Sequence, residues 1–449
     1  MYFIDLLEWQ TARTAELGLP INFMPGFDKN AERVIEQLAS DNKLEILHFR
    51  SGMELRANSW VGRITIGDLT VTIHPKLKGA PLVGLLRYAY SLRDLETHAL
   101  TSANAEAAAF QDLIVTQLLN ETTELLSRGI HRDYLRFNAP LFSPSGRIDF
   151  FRIADSLANA NTTLPCVYHS RSDAILLNKV LLAGLCLAAR VSTDTSVARR
   201  AHGLLQLMEP TVPTIRLTNG EIDAARRLVD RRTLAYDSAL TLIQMLFNGL
   251  GVSFADRKEA FPLPGFLFDM NVFFQRLISR FLREELPDYV IQDEHRLKYI
   301  FEYDPHNNPN NRRAIVPRPD FAVLSKGSVV EFLDAKYRDL WEKPLPREML
   351  YQLTVYALSK KDGAIRSTII FPTMNHAAVD QIVLLKDPIH GHKNAEVILR
   401  PVNLLDLEML VRPRGGALVA RRRRALAEFL VFGKTPQTAI RTTATVGAR

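Results

Sequence analysis

Apolar and polar residues alternate with a period of two through the early part of the chain. "KLEILHFR", "MELRAN" and "GRITIGDLTVTIHPKL" follow this pattern between Lys43 and Leu77, as strands with one buried face do. Gly67 and Asp68 mark a tight turn, and Pro75 ends the last strand. Residues 1–80 are therefore expected to form a β-rich domain, a small sheet or barrel. From Pro81 the spacing lengthens to three and four residues. "LVGLLRYAYSL", "AAAFQDLIVTQLLNETTELLSRG", "AILLNKVLLAGLCLAAR" and "AARRLVDRRTLAYDSALTLIQMLFNG" predict a mainly helical middle region over 81–260, with Gly129 and Gly249 at helix ends. "FSPSGRIDFF" interrupts it with Ser143, Pro144, Ser145 and Gly146, a hairpin or exposed loop near 141–151.

"FPLPGF", with Pro262, Pro264 and Gly265, predicts a boundary near 261. Beyond it, "DMNVFFQRLISRFLREEL" is expected as a helix and "DYVIQDEHRLKYIFEY" contains a strand. A polar loop, "DPHNNPNNRR", leads to two strands around Arg318 to Tyr337. Then come a helix in "REMLYQLTVYALSKK", and strands in "STIIFPTM", "QIVLLKD" and "AEVILRPVNL". That order predicts an α/β domain with one mixed sheet over 261–410, followed by a basic tail over 411–449. The fold class expected is multidomain α+β.

The chain has 449 residues, 47% hydrophobic and 23% charged, a length for two or three domains with real cores. Two cysteines, Cys166 and Cys186, cannot form a disulfide framework or a four-ligand zinc site alone; they read as small apolar fillers in a cytoplasmic protein. "MYFIDLLEWQ" lacks a basic leader and a small-residue cleavage site, and no run reaches the ~18 apolar residues of a membrane span, so no membrane role is expected. The net charge is +7 and the pI about 9.3. This permits phosphate contacts with nucleic acid and equally a plain basic surface. The tail holds nine Lys or Arg against one acid, including Arg421 to Arg424, either a grip on a nucleic-acid backbone or the solvated face of a terminal helix. "HGH" at 390–392 lacks partners at ligand spacing and reads as a loop.

The chemistry concentrates in "RPDFAVLSKGSVVEFLDAKYRDL". Lys326 and Gly327 form a turn between two strands, and a tight antiparallel hairpin brings the start of the first beside the end of the second. Asp320 and Asp334 therefore meet. Asp334 and Lys336, two apart, project from one face. Two carboxylates are hard ligands suited to Mg²⁺ or Mn²⁺, the Ala335 carbonyl offers a further oxygen, and Lys336 could orient a water, take its proton or stabilise developing charge. On the next helix Glu348, Gln352 and Tyr356 share roughly one face. Arg312 and Arg313 could touch phosphate or be ordinary exposed residues of a solvated loop, and Arg338 is a further candidate DNA contact. An acid-x-lysine triplet alone is common by chance; the preceding Pro-Asp and following helix give it weight.

"RPD … EFLDAKY … YQLTVYA" resembles the PD-(D/E)xK nuclease superfamily, with the Gln-x-x-x-Tyr helix of its RecB-like branch. "VGRITIGDLTVTIHPKL", "SGRIDF", "SRSDAILLNKVL" and "DAKY" in this order resemble the McrC family, nuclease subunits of McrBC-type modification-dependent restriction systems, over about residues 45 to 405. The resemblance implies Asp320, Asp334 and Lys336 as catalytic residues, with Gln352 and Tyr356 in support, a restriction-endonuclease-like C-terminal domain, double-stranded DNA as substrate and an McrB-like AAA+ GTPase hexamer as partner. It also implies that the N-terminal region contacts that ring; the polar residues Arg63, His74 and Lys76 are candidates there, and equally a plain sheet surface. Such nucleases often carry a further acid on the helix before the sheet; here Gln275 stands at the candidate position. "FGKT" at 432–435 has Glu428 where a phosphate-binding loop needs Gly, so nucleotide hydrolysis must come from elsewhere. Two other readings remain open: a stand-alone RecB-like repair nuclease, and a largely non-catalytic activator of an AAA+ ring.

Overall fold

The computed structural model describes residues 2–14, 16–17, 29–49, 52–92, 110–153, 163–250, 265–359, 365–412 and 416–433. Pro262 and Pro264, and Lys434 and Thr435, lie outside them. The fold is mixed α/β with several layers.

At the N-terminus come β1 (Tyr2–Leu7), β2 (Thr11–Arg13), α1 (Lys29–Ser40), β3 (Leu44–Phe49), β4 (Gly52–Ala57), β5 (Trp60–Ile66) and β6 (Leu69–His74). They form a β2-β4-β3 sheet and a second sheet ordered β1-β6-β5 with one further strand beside β5. Their inward residues, among them Ile4, Leu6, Leu44, Leu55, Ile64 and Val71, make one core with Leu38 of α1. The last strand of the second sheet, β10 (Gly265–Asp269), arrives from far along the chain and pairs antiparallel with β5, Gly265 opposite Ile64. The expected boundary at 261 assigned Gly265 onward to the C-terminal domain; these five residues complete the N-terminal sheet instead. Gly62 makes room for them: at φ +136°, a Cβ there would stand 2.2 Å from the Phe266 carbonyl oxygen.

The middle region holds α2 (Gly79–Ala89), α3 (Phe110–Arg128), α4 (Leu176–Val191), α5 (Thr195–Met208), α6 (Asn219–Arg227) and α7 (Tyr236–Gly249). Gly129 follows α3 in the left-handed region, φ +83°, the usual glycine stop. Between α3 and α4, β7 (Asp133–Leu141), β8 (Arg147–Ile148) and β9 (Leu164–Ser172) build an antiparallel arm, larger than the expected hairpin. Phe142 and Phe151 on this arm are 83% and 95% exposed. Cys166 is buried in β9, as a filler should be, whereas Cys186 is exposed on α4.

The C-terminal part holds α8 (Met270–Glu285), β11 (Val290–Asp293), β12 (Phe321–Ser325), β13 (Ser328–Ala335), α9 (Arg347–Leu358), β14 (Arg366–Thr373), β15 (Gln381–Lys386), β16 (Lys393–Asn403), α10 (Leu404–Val411) and α11 (Ala417–Phe432). The expected elements fall here in the expected order. Six strands form one mixed sheet, β11-β12-β13-β14-β16-β15. Strand β14 is parallel to β13 and to β16, and the other pairs are antiparallel. On one face, Leu353 and Tyr356 of α9 pack on Phe332, Ile369 and Phe371. On the other, Phe273, Leu277 and Phe281 of α8 share the helical core with Leu333 and Ala335. The basic run in α11 is partly internal: Arg423 pairs with Glu284 and Glu285, and Arg424 with Asp288 and Glu428. Among the described residues no helix is long and apolar enough to cross a membrane.

Candidate functional site

The β12–β13 hairpin turns at Lys326 and Gly327, both at positive φ, 50° and 84°, the requirement of a two-residue turn whose twist matches the strands. Ser325 faces Ser328 and Leu324 faces Val329. Continued without interruption, that register would set Asp320 opposite Leu333. A register shift between Val323 and Leu324 intervenes, and beyond it Val323 faces Glu331 and Phe321 faces Leu333. Asp320 thus comes opposite Asp334, and opposite residues share a face. The shift places both acids on one side of the sheet.

The cluster is tight. The Ala335 N–H donates to Asp320 Oδ2 at 2.8 Å. Lys336 Nζ stands 3.2 Å from Asp334 Oδ2 and 3.6 Å from Asp320 Oδ2. Asp334 is 2% exposed, and its Oδ1 is buried without a hydrogen-bond partner. Burial, and then the Asp334 charge, push the Asp320 carboxyl up to about 7. Burial lowers the Lys336 ammonium, but Asp334 and Asp320 outweigh it, and the net direction is up. With both acids ionised and the lysine charged, the pocket keeps one net negative charge. An oxygen-lined, charge-deficient pocket of this kind fits a hard divalent ion that takes two carboxylates and leaves other positions to water and phosphate. Among the described residues no group of three or more His, Cys, Asp or Glu converges, so these two carboxylates are the acids that the described residues bring to the pocket.

Tyr356 reaches the cluster from α9. Its hydroxyl accepts from Gln352 Nε2 at 2.5 Å. Burial first, with Asp334 and Asp320 adding to it, pushes the phenol up to about 12. Glu348 is exposed at the start of the same helix. Gln275 is half-buried on α8 and makes no hydrogen bond to the three residues of the cluster.

The candidate DNA contacts separate. Arg312 and Arg313 are exposed in the loop from β11 to β12, whose ends are tied by Glu294 N–H to Asp320 O and Leu297 N–H to Pro317 O, both 2.9 Å. Arg338 instead turns toward the N-terminal sheet, its guanidinium 5.5 Å above the Trp9 ring. The three N-terminal candidates all have intramolecular partners: His74 with Asp5, Lys76 with Glu342, Arg63 over Phe3. Sequence reasoning missed Glu8, Trp9, Asn271 and Tyr337, which join the N-terminal sheet to the end of β13. No local pattern marks them, because each acts through a residue distant in the chain.

Fold and site together define a multidomain α/β protein with a buried acid–acid–lysine cluster at one sheet end. Residues 55–372, more than half of the chain, match the family described as "McrBC 5-methylcytosine restriction system component", and the chain belongs to that family. A chain of the refined half-complex from a tetradecameric assembly of Thermococcus gammatolerans McrB AAA+ hexamers with bound McrC is similar at a TM-score of 0.58 and 18% identity; the match covers 95% of this chain and 100% of that one. A chain of the Thermococcus gammatolerans McrBC complex matches over 64% of this chain and 88% of that one, with 18% identity and a TM-score of 0.44. No curated protein matches. The first similarity extends the shared fold to nearly the whole chain.

Proposed function

We propose that the chain is the endonuclease subunit of an McrBC-type restriction system, with a C-terminal domain of PD-(D/E)xK type that hydrolyses phosphodiesters of double-stranded DNA. The convergence of Asp320, Asp334 and Lys336 carries this reading. Asp320, Asp334 and the Ala335 carbonyl would hold Mg²⁺ or Mn²⁺. Such an ion supplies Lewis acidity for the attacking water and offsets phosphate charge. Lys336, flanked by two acids, keeps its proton near neutral pH and is suited to stabilise negative charge on the phosphate rather than to act as a base. Tyr356, also protonated, presents a hydroxyl to the cluster, steadied by Gln352. Arg312 and Arg313, exposed on the loop that leads to Asp320, would meet the DNA backbone.

The relative's McrB AAA+ hexamers and the missing phosphate-binding loop together support a GTP-driven ring as partner. Among the described residues, the arm formed by β7, β8 and β9 is the surface we assign to it. Phe142, Phe150 and Phe151 are exposed there, while Arg63, His74 and Lys76 are engaged within the chain.

The test is cleavage of methylated duplex DNA with Mg²⁺ and GTP, with and without an McrB-like partner. Partner-dependent cleavage that disappears in Asp334→Ala is expected. Cleavage unchanged in that variant would overturn the assignment, and full cleavage without the partner would favour a stand-alone nuclease. Gln275 and the two-carboxylate pocket favour one rival, a non-catalytic activator; stimulated partner GTPase with no cleavage by the native chain would establish it.

A further inference from the structure

Tyr337 follows Lys336 where the chain leaves β13, and each of its polar groups is held from outside the C-terminal sheet. Its N–H donates to Asn271 Oδ1 of α8 at 3.1 Å. Its carbonyl accepts from the Trp9 indole Nε1 at 2.8 Å. Its hydroxyl donates to Glu8 Oε1 at 2.9 Å. The ring is 4% exposed and meets Phe274 edge-on, centroids 6.0 Å apart.

The two N-terminal partners are anchored in turn. The Glu8 N–H donates to the His74 carbonyl at 2.9 Å, and Glu8 Oε1 also accepts from the Lys76 N–H at 2.8 Å. Trp9 donates its own N–H to Asn58 at 3.1 Å and accepts Lys343 Nζ on its carbonyl at 2.8 Å. Its φ of 61° is a conformation bulky residues adopt only when the surroundings enforce it. Adjacent residues leaving β1 thus reach across the seam to one residue beside the site.

We infer that Glu8 and Trp9 are positioning residues for the carboxylate–lysine site, fixing Tyr337 and through it the stance of Lys336 and the Ala335 carbonyl. This rests on the nuclease reading proposed above. Past Ala335 the chain has left the ladder apart from one bond, Lys336 N–H to the Ile370 carbonyl at 3.1 Å. Without the Tyr337 tethers, that short stretch would be free to rotate. Supporting groups of this kind set ligand geometry without touching the ligand's charge. They also make the site dependent on the N-terminal sheet, so whatever shifts that sheet reaches Lys336.

The test uses the full chain. Trp9→Phe removes the indole donor and keeps the ring; Glu8→Ala removes the acceptor; Glu8→Gln restores an acceptor. Mn²⁺ binding is measured by calorimetry without DNA, and the Mg²⁺ dependence of cleavage with the partner present. Trp9→Phe and Glu8→Ala are expected to weaken Mn²⁺ binding about three- to tenfold, the worth of one hydrogen bond. The Mg²⁺ requirement should rise in step while the rate at saturating Mg²⁺ changes far less, and Glu8→Gln should recover native binding to within about twofold. If Asp334→Ala abolishes Mn²⁺ binding while Trp9→Phe binds like the native chain, the positioning role is wrong and the nuclease reading stands. If Asp334→Ala itself binds and cleaves normally, the nuclease reading falls and this inference with it. Thermal melting identifies a Glu8→Ala chain that does not fold, in which case Trp9→Phe decides.

Discussion

Two regions bury carboxylates and treat them differently. At the seam between the sheets Glu8 shares a cavity with Asp339, but no other carboxyl bears on its charge. Burial pushes Glu8 up to about 7, against the Lys76 N–H and the Tyr337 hydroxyl that hold it. At the end of β12 and β13, two carboxyls share a pocket with an ammonium. Each region leaves one buried oxygen without a hydrogen bond, Glu8 Oε2 and Asp334 Oδ1. An orphan oxygen by itself therefore does not mark a site. Beside Glu8 lies a cavity of about 30 Å³, room for roughly one or two waters. A lone buried acid can take up a proton and become neutral. Two acids that share a pocket repel each other, and the Asp334 charge adds to burial in pushing Asp320 up, so a shared proton or a bound cation relieves the pair. The number of converging charges, not burial, separates the candidate site from the structural acid.

The largest expected effect breaks that contrast at the cluster. Asp334→Ala should lower cleavage on the order of 10³-fold, the several kcal/mol that a held ion contributes to transition-state charge, while a seam variant such as Glu8→Gln leaves turnover close to native. A seam variant as damaging as Asp334→Ala in turnover at saturating Mg²⁺ would dissolve the distinction.

The next effect is in pH-dependent stability. Glu8 binds its proton more tightly folded than unfolded, from 4.5 to about 7. Its contribution is therefore fully present below pH 4.5 and lost as pH rises through about 7. Glu8→Gln never titrates, so its stability relative to the native chain should climb by up to about 3 kcal/mol across that window. Denaturant unfolding at several pH values measures this; parallel curves would refute it.

A third test moves away from charge. Phe151→Ser, on the arm, should weaken stimulation of the partner GTPase by about tenfold or more if the ring buries it, with thermal stability unchanged. An unaltered response in both Phe151→Ser and Phe142→Ser would return the contact to another surface. The smallest effect tests the basic helix. Arg423→Ala loses ion pairs to two acids, one of them Glu285 at 13% side-chain exposure, and should cost about 1 kcal/mol, whereas exposed Arg421→Ala should stay within about 0.5 kcal/mol. Equal losses in a urea titration would mean that the run acts as one solvated face.

Much of the C-terminal sheet was legible because its signals are local. Alternation in "FAVL" and "SVVEFLDAK", a Lys-Gly turn and helical spacing after Pro346 each act within a few residues, and the strand and helix order followed. The arm was visible only as an interruption, since its pairing joins Asp133 to Ser172. The basic run in α11 could not be resolved by composition, because ion pairs with α8 depend on packing. Gly249 is the last residue of α7, as expected, and packing adds a second reason for it that no local pattern shows: a Cβ there would lie 2.1 Å from the Phe266 ring.

Strand periodicity and turn chemistry are properties of adjacent residues, so two acids and a lysine on neighbouring strands of an α/β domain could be read from the chain alone. The hairpin already brings Asp320 and Asp334 to one end; the register shift in the folded pair is what sets them opposite each other on one face. Only the tertiary structure placed Gly265–Asp269 in the N-terminal sheet and brought Trp9 and Glu8 to Tyr337. Those contacts span 328 and 329 residues of chain, and packing, not local preference, sets them.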